Sequence, residues 1–306
     1  MAAAIWVREA DVVICEGEQA SWYLNGQLSA NVDSLEPGGG RRALLLNPDG
    51  SLVAPLGVIK IDAEVCRIHV PVGSSIAVIH RLERFRLRTK VSFSARPGST
   101  ISYSCFSKGE CTALEEAVRL KVPGVMAAET FTMGDVEVGE MYCELGREAV
   151  ERMLSDFTSL DRTEFSRIRS GQPQWSAECM DGMNPTELGE AFVRSRTDFG
   201  KGCYTGQELI ARIDSRGYKT PRRLSGFIVS GEPSKLATFR EGMLGDNSRP
   251  VFSITSYYFD GRFACGIGLG FSHRSGGEFR TEILTEHLVV RAVGLEELSR
   301  IVEECV

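Results

Sequence analysis

The sequence has few histidines and no pattern of paired cysteines. Four histidines occur in 306 residues, and nine cysteines are scattered along the chain without a C-x-x-C pair. A finger-type zinc site needs such pairs, and a disulfide framework needs an even number of cysteines at regular spacing. We therefore expect neither, and we predict no metal site. Most of the cysteines are expected to be inert, partly buried thiols.

Long apolar segments and nucleotide-binding motifs are also missing. No run approaches the roughly 20 apolar residues that cross a bilayer. The first residues, MAAAIWVREADVVIC, lack a basic region, and Arg8, Glu9 and Asp11 interrupt them before an apolar signal core can form. We expect a cytoplasmic protein with no membrane contact. GKGCYTG ends without the Lys-Ser/Thr of a phosphate loop, and GIGLGF lacks G-x-G-x-x-G spacing.

The charge of the chain is acidic overall but unevenly distributed. The formal net charge is −6, which argues against direct nucleic-acid binding. Between Arg194 and Arg223, however, eight cations stand against three anions, and RLERFRLRTK at 81–90 is a second basic stretch. Each basic patch is either a solvated face or a site for an anionic ligand or partner.

The pattern of strands and helices changes near residue 220. Upstream, antiparallel strands around the Asn-Pro-Asp-Gly turn at 47–50 alternate with amphipathic helices, which predicts an α+β region over 1–220 that can be divided into two subdomains. Downstream, 221–306 holds short β-rich runs separated by glycine, aspartate and serine turns, which is typical of a small barrel or sandwich.

A compact motif, KGCYTGQELIAR, lies just before this boundary. Thr205 and Glu208 have the spacing of a capping box, which predicts a helix from about Gly206 through Ile213. Such a helix would direct the positive end of its dipole at the residues that precede it.

The thiol of Cys203 precedes the predicted cap by two residues. Lys201 and Arg212 are near it in sequence, and cations together with a helix amino terminus lower the pKa of a thiol. We therefore expect Cys203 to be the most reactive of the cysteines. The alternative is that it only fills space at a glycine turn, and no histidine is close enough in sequence to be assigned as its base.

The same motif resembles the K-G-C-Y-x-G-Q-E signature of the YgfZ-type folate-binding proteins, relatives of the glycine-cleavage T-protein (aminomethyltransferase). YLNGQLSANVDSLEPG, ALLLNPDGSLVA, RLERFRLRTKV, NPTELG and GFSHR resemble further segments of that family, so the resemblance spans nearly the whole chain. The signature residues are Lys201, Gly202, Cys203, Tyr204, Gly206, Gln207 and Glu208.

The resemblance implies an aminomethyltransferase-like body of mixed α/β subdomains around a central channel, closed by a C-terminal β-barrel. It implies tetrahydrofolate as ligand, Cys203 as a redox or cluster-contacting thiol, and iron–sulfur proteins or their assembly factors as partners. The expected function is that of an accessory protein in iron–sulfur cluster assembly or repair, which affects tRNA modification indirectly. Two alternatives stay open: a tetrahydrofolate-dependent aminomethyl or methyl transferase or demethylase, and a folate-free protein-binding module.

The sequence departs from the family at two functional positions. Ala54 and Pro55 stand where the aminomethyltransferases carry an Asp-Asp pair, so the transfer chemistry lacks its acid and enzymatic activity stays an open question. Arg169 stands where many relatives place a pterin-contacting Glu, and an arginine cannot accept hydrogen bonds from the ring. Glu178 or Glu187 would then have to replace it.

Cations and aromatics complete the predicted binding site. The cluster from Arg212 to Arg223 is expected to hold the carboxylated tail of a folate by charge-assisted bonds, or else to dock an acidic protein. Trp175 and Tyr204 are expected either to stack on the pterin or to pack internally.

Overall fold

The structure is a computed structural model of the chain. It describes residues 3–105, 110–127, 130–133, 136–157, 163–246, 249–261, 265–275, 278–279, 282–285 and 287–304. The strands are β1 (Ala3–Glu16), β2 (Gly40–Leu46), β3 (Leu52–Lys60), β4 (Val65–Pro71), β5 (Ser92–Cys105), β6 (Met126–Ala127), β7 (Phe131–Met133), β8 (Val136–Cys143), β9 (Arg222–Gly231), β10 (Gly242–Asp246), β11 (Arg249–Tyr258), β12 (Cys265–Ser275), β13 (Glu278–Phe279), β14 (Glu282–Leu284) and β15 (Leu288–Val293).

The helices lie between these strands and after the last of them. They are α1 (Ala20–Gln27), α2 (Ser75–Arg86), α3 (Glu110–Lys121), α4 (Arg147–Met153), α5 (Thr163–Arg169), α6 (Glu190–Arg194), α7 (Gln207–Asp214), α8 (Pro233–Thr238) and α9 (Leu295–Glu304), with a 3₁₀ turn at Pro185–Leu188. Among the described helices, none has the length and apolar character that spanning a bilayer would take.

The first sheet contains β1 to β8 and is built on β1. In the described residues its order is β2-β3-β4-β1-β5-β8-β6, with β7 also paired to β8, and the pairs are antiparallel. Val13 and Cys15 of β1 are fully buried, because they belong to a core that includes residues of α1 and α2. The antiparallel hairpin predicted around the turn at 47–50 is confirmed by the pairing of β2 with β3.

The second sheet contains β9 to β15. The described strands run in the order β10-β11-β12-β9-β15-β14, with β13 on β12. The prediction that residues after 221 are mainly short β-strands is confirmed. The protein is thus a mixed α/β structure with two curled half-barrel sheets. Since β10 and β14 lie at opposite ends of this strand order, a closed C-terminal barrel stays a prediction.

A shared hydrophobic core joins the two sheets through the helices between them. Leu44 of the first sheet, Phe165 of α5 and Leu269 of the second sheet belong to one buried cluster. Full burial of each such side chain contributes about 1.5–3 kcal/mol. This cluster contains residues from both 1–220 and 221–306. The division of the chain into two domains at residue 220 therefore stays a prediction.

The cysteines are mostly buried, but one disulfide is present. Cys105 at the end of β5 and Cys111 in α3 are joined, with their Cα atoms 5.7 Å apart. This single pair is not a disulfide framework, but the sequence did not predict it, since strand and helix bring together two cysteines whose spacing carried no signature. Five of the six free cysteines in the described residues are buried, and Cys203 is exposed.

Candidate functional site

The signature loop, defined as Lys201 to Glu208, is attached to the carboxyl end of α1. The ammonium Nζ of Lys201 donates to the main-chain oxygens of Asn25, Leu28 and Ala30 at 2.5, 2.7 and 2.8 Å. Burial lowers the pKa of Lys201 to about 8, against the opposing charges of Asp198 and Asp33. The ammonium form, which alone has three N–H donors, therefore predominates at pH 7.

A glycine rather than a side-chain cap begins the helix after this loop. The capping box predicted from Thr205 and Glu208 is wrong, because the N-cap of α7 is Gly206 and no side chain caps it. Gln207 instead accepts a hydrogen bond from the Tyr204 N–H at 3.2 Å through its own Oε1. Thr205 bonds to Gln27 of α1.

Gly206 is required by both its conformation and its surroundings. Its φ is +83°, in the left-handed region that favours glycine. A Cβ at this position would lie 2.4 Å from the main-chain oxygen of Asn47 and 2.8 Å from Cβ of Leu46. The loop is therefore packed directly against the turn that joins β2 and β3. Gly202, by contrast, has open space around it.

These contacts leave one thiol exposed to solvent. Tyr204 is buried, Lys201 is bonded to backbone, and Cys203 between them is exposed. The residues of the signature loop thus hold the backbone in place and leave the thiol of Cys203 outside.

A cavity of about 600 Å³ lies elsewhere in the molecule, between the first sheet and the segments around α5 and α6. Its wall is assembled from β1, β3, β4 and β8 on one side and from the segments at 171–176 and 188–196 on the other, with part of α9 at its edge. Apolar and aromatic side chains such as Trp175, Tyr142 and Phe192 line it together with a few buried polar groups. This combination is typical of small-molecule sites. None of Lys201 to Glu208 lines it.

A buried carboxylate, Glu140, is the centre of the polar part of this wall. Its Oε1 accepts from Nη2 of Arg8 at 3.1 Å and from Nη2 of Arg196 at 3.3 Å, and its Oε2 accepts from the hydroxyl of Tyr142 at 2.8 Å. Burial raises the pKa of Glu140, but the charges of Arg196, Arg8 and Arg42 outweigh it and bring the pKa to about 2. Glu140 is therefore ionised throughout the physiological range and does not serve as a general acid.

The imidazole of His69 lies beside this network. It is 2% exposed, lines the cavity, and has no hydrogen-bond partner on either ring nitrogen within the described residues. Its ring centroid is 5.1 Å from that of Tyr142. Burial, together with the charges of Arg67 and Arg96, lowers the pKa of His69 to about 3. The neutral imidazole thus has one donor and one acceptor that no described protein group uses.

Of the predicted ligand-binding residues, the structure places one in the cavity. Trp175 lines it, whereas Arg212 and Arg223 are exposed on α7 and β9 and do not. Glu187 accepts from Nε of Arg222 at 2.8 Å outside the cavity. The predicted cationic cluster for a folate tail is therefore not at the cavity wall.

Arg169 is also outside the cavity. Its guanidinium donates through Nε and Nη2 to the main-chain oxygen of Ser299 in α9, both at 3.1 Å. Glu178, considered as its replacement, is fully buried and bonds to Arg167, Ser256 and Thr255. Neither side chain is positioned to contact a molecule in the cavity.

Comparisons with known proteins identify the fold. The structure is similar to the glycine cleavage system aminomethyltransferase T from Bartonella henselae, with a TM-score of 0.65 and 15% identity over 98% of this chain and 87% of that chain. This protein has the aminomethyltransferase fold. No family model matches the sequence.

Two sequence relatives add to this. The chain is 23% identical over 257 residues, 84% of each chain, to an uncharacterized protein of Haemophilus influenzae. It is 42% identical over 72 residues to the tRNA-modifying protein YgfZ of Vibrio vulnificus, a match that spans 22% of either chain. The protein is thus similar to YgfZ in part of its sequence and to the T-protein in its fold.

The two positions at which the sequence resemblance led us to expect carboxylates, Ala54 and Pro55, lie on β3. Ala54 is fully buried in the core, and Pro55 lines the cavity. The wall therefore presents a proline ring where the sequence resemblance places an acid, and the carboxylate that is buried in the wall, Glu140, comes from β8.

Sequence reasoning missed Glu140, Tyr142, His69 and Arg196. One local signal was available: Glu140 and Tyr142 are two residues apart in β8 and so share a face of the strand. The other two come from β4 and from the segment after α6, and only the fold brings them together. In the described part of the chain, no group of three or more histidine, cysteine, aspartate or glutamate side chains is arranged to hold a metal ion.

Proposed function

We propose that this protein binds tetrahydrofolate in the cavity and acts as an accessory protein in iron–sulfur cluster assembly or repair, with an indirect effect on tRNA modification. The observation that carries the proposal is the cavity of about 600 Å³ whose wall combines Trp175 and Tyr142 with a buried imidazole that has unused hydrogen-bonding capacity. The partial similarity to a tRNA-modifying protein supports the proposed effect on tRNA modification.

The residues of the wall fit a folate. A pterin is a flat heterocycle with donors and acceptors along one edge, so it requires aromatic surfaces and complementary polar groups. Trp175 and Tyr142 supply aromatic surfaces, and His69 supplies one donor and one acceptor. Gln172, which is buried and also lines the cavity, adds an amide. When bound, the folate would supply one-carbon or redox chemistry, while these residues bind and orient it.

The thiol of Cys203 is assigned a separate role in this proposal. Because Cys203 is exposed on the signature loop and does not line the cavity, it is accessible to a partner protein when the cavity holds its ligand. We propose that this thiol acts in redox exchange or in contact with a cluster of an iron–sulfur protein.

The transferase alternative is supported by the fold and opposed by the wall chemistry. Proton transfer at neutral pH requires a group whose pKa is near 7. Glu140 has a pKa of about 2 and is paired with two guanidiniums, and Pro55 has no acidic group. The wall thus binds and positions a ligand better than it exchanges protons with one.

The folate-free alternative rested on Arg169. In the structure its guanidinium bonds to the main-chain oxygen of Ser299 and does not line the cavity. Arg169 therefore does not obstruct a ligand there. Since Glu178 and Glu187 do not line the cavity either, the proposal assigns the polar contacts of the pterin to His69 and Gln172.

Calorimetric titration of the protein with tetrahydrofolate tests the proposal, and Gly57→Ala is the variant that blocks the cavity. A Cβ at Gly57 would lie 2.1 Å from Cζ of Tyr142, so this ring must move within the cavity wall. We expect saturable binding by the wild type and a loss of roughly 10-fold or more in affinity in Gly57→Ala. Gly242→Ala in β10, where a Cβ meets nothing within 4 Å, is the matched control and should bind as the wild type does.

Absence of binding by the wild type would overturn the folate proposal. Equal affinity in wild type and Gly57→Ala would place the ligand outside the cavity and overturn the assignment of the site. Circular dichroism of both alanine variants establishes that a loss of affinity is not a loss of fold.

A further inference from the structure

Two guanidiniums in the cavity wall share one carboxylate oxygen. Arg8 and Arg196 both donate to Oε1 of Glu140, each through a single nitrogen, at 3.1 and 3.3 Å. A guanidinium paired with its own carboxylate uses two parallel bonds, which is the stronger arrangement. Nη2 of Arg8 also donates to Ser102 Oγ at 2.6 Å, and Nη1 of Arg196 donates to Ser195 Oγ at 3.2 Å. Because one carboxylate serves two cations and neither pair is bidentate, each guanidinium keeps N–H donors that no described group uses.

The two guanidiniums are held in the wall rather than in open solvent. Arg196 is 8% exposed, and Arg8 is partly buried. In the described residues, the carboxylate that pairs with both of them is that of Glu140. Buried charges are costly unless they are compensated, so two cations that share one anion favour a second one.

The other charged side chains of the cavity lie at its rim. Glu9, Glu190, Glu296 and Arg147 line it but are exposed to solvent, where water screens them. Glu190 is paired with Arg194, and Arg147 with Glu151. They do not neutralise the interior guanidiniums.

An unused donor lies at the same place. Nε of Arg196 is buried and has no hydrogen-bond partner in the described residues, and the side chain as a whole is 10% exposed. A buried charged donor without a partner destabilises the fold, because it has lost its hydration and gained no hydrogen bond in return. An acceptor supplied by a bound molecule would remove this cost.

We propose that Arg8 and Arg196 form a carboxylate subsite in the wall of the cavity. This proposal refines the proposed function, and it rests on that function because it assumes that the ligand binds in the same cavity. A carboxylate fits because its two oxygens can accept from the two guanidiniums at once. The carboxylate belongs either to the glutamyl tail of a folate or to a separate small carboxylic acid bound next to it.

The proposal predicts that substituting Glu140 and substituting the arginines change the affinity for carboxylates in opposite directions. As the anion that already occupies the guanidiniums, it competes with an incoming carboxylate. Glu140→Gln keeps the shape and removes the competing charge, so it should tighten carboxylate binding. Arg196→Gln and Arg8→Gln remove donors and should weaken it. A purely structural role of the network would make all three variants weaken binding.

The experiment is calorimetric titration of wild type and these variants with four probes. Tetrahydrofolate contains a pterin and a glutamyl tail. Of the other probes, 6-methyltetrahydropterin has the pterin without carboxylates, p-aminobenzoylglutamate has the carboxylate-bearing tail without the pterin, and succinate is a free dicarboxylate. We expect both arginine variants to lose roughly 10- to 100-fold in affinity for the carboxylate-bearing probes and to keep their affinity for the pterin. Arg212→Gln, on the exposed face of α7, is the matched control with no expected change.

The probes separate the two sources and the two proposals. Arginine-dependent binding of p-aminobenzoylglutamate but not succinate assigns the subsite to a folate tail, and arginine-dependent binding of succinate assigns it to a separate acid. If succinate binds in this way while neither tetrahydrofolate nor the pterin binds, the subsite stands and the folate proposal fails. If tetrahydrofolate binds and the arginine variants bind every probe as the wild type does, the subsite is wrong and the folate proposal stands.

Two further outcomes overturn the subsite. One is that no carboxylate-bearing probe binds the wild type. The other is that Glu140→Gln weakens carboxylate binding as much as the arginine variants do. If Arg196→Gln does not fold, Arg8→Gln provides the same test, since the Arg8 side chain is 31% exposed and its replacement disturbs less of the core.

Discussion

The signature loop and the cavity wall are built from side chains in opposite ways. The loop is one continuous stretch in which Lys201, Tyr204 and Gly206 are bound or packed against neighbouring elements, and Cys203 is exposed. The cavity wall collects its polar groups from separate strands and loops, and they are buried. A motif that is recognisable in sequence thus provides a scaffold for one thiol, and a site that has no local motif provides the room for a ligand.

The difference has a physical cause. The loop needs particular residues at fixed spacing, because its conformation depends on three residues that are close in sequence. These are a glycine with positive φ, a lysine that donates to three main-chain oxygens, and a buried tyrosine. The cavity wall needs only charged and aromatic side chains that lie close together in the folded protein. Strands that are distant in sequence can supply these side chains. If this comparison is correct, substitutions in the loop act mainly on stability and substitutions in the wall act mainly on binding and on its pH dependence.

The largest effect on stability is expected for Gly206→Ala. The substitution places a Cβ 2.4 Å from the oxygen of Asn47 in a residue whose φ is +83°. The left-handed backbone and the steric overlap together should cost at least about 2–3 kcal/mol in the free energy of unfolding, measured by urea denaturation.

Gly202→Ala is the matched control for this prediction, since it lies in the same loop with nothing near its Cβ. It should change stability by less than about 0.5 kcal/mol. Equal stability of the two variants would contradict the view that the loop is docked through Gly206.

A smaller effect, confined to acid pH, is expected for His69. Its pKa is lowered from 6.5 to about 3 in the folded protein, so the unfolded chain takes up a proton that the folded chain does not. The stabilisation is complete above pH 6.5 and is lost as the pH falls toward 3. At pH 5 the wild type should have lost about 2 kcal/mol that His69→Gln does not lose, as measured by urea denaturation at pH 5 and pH 8.

The exposed His80 of α2 gives the control, because His80→Gln removes a histidine without touching the cavity. Its pH dependence should match that of the wild type. If His69→Gln loses as much stability between pH 8 and pH 5 as the wild type does, His69 is not held neutral by the cavity wall.

The smallest effect on stability is expected for Cys203→Ser. The side chain is exposed and lies outside the cavity, so unfolding free energy should change by less than about 0.5 kcal/mol and tetrahydrofolate affinity should be unchanged. Under the proposed function, cells with this variant should lose support of iron–sulfur enzymes, measured as the activity of those enzymes in extracts.

Undiminished activity of cluster enzymes in such cells would remove the thiol from the proposed function and leave the cavity as the functional feature. A loss of ligand affinity in Cys203→Ser would instead show that the loop and the cavity are coupled, and the comparison between them would have to be revised.

Much of the fold followed from local patterns. The Asn-Pro-Asp-Gly turn predicted the hairpin of β2 and β3, and the β-rich texture after residue 221 predicted the strands of the second sheet, because turn chemistry and apolar alternation act over a few residues. The capping box failed because Gly206 must adopt a positive φ to pass the turn at Asn47, and a packing contact 160 residues away is not visible in T-x-x-E spacing.

The candidate site divides in the same way. The sequence by itself singled out the segment from Lys201 to Glu208, Cys203 as the cysteine to test within it, and the absence of a carboxylate at Ala54 and Pro55, since these are properties of neighbouring residues. Only the tertiary structure decided that Arg169 bonds to Ser299 and that His69, Glu140 and Arg196 meet in one wall. Burial and charge pairing depend on which strands become neighbours, and that is settled by the packing of the whole chain.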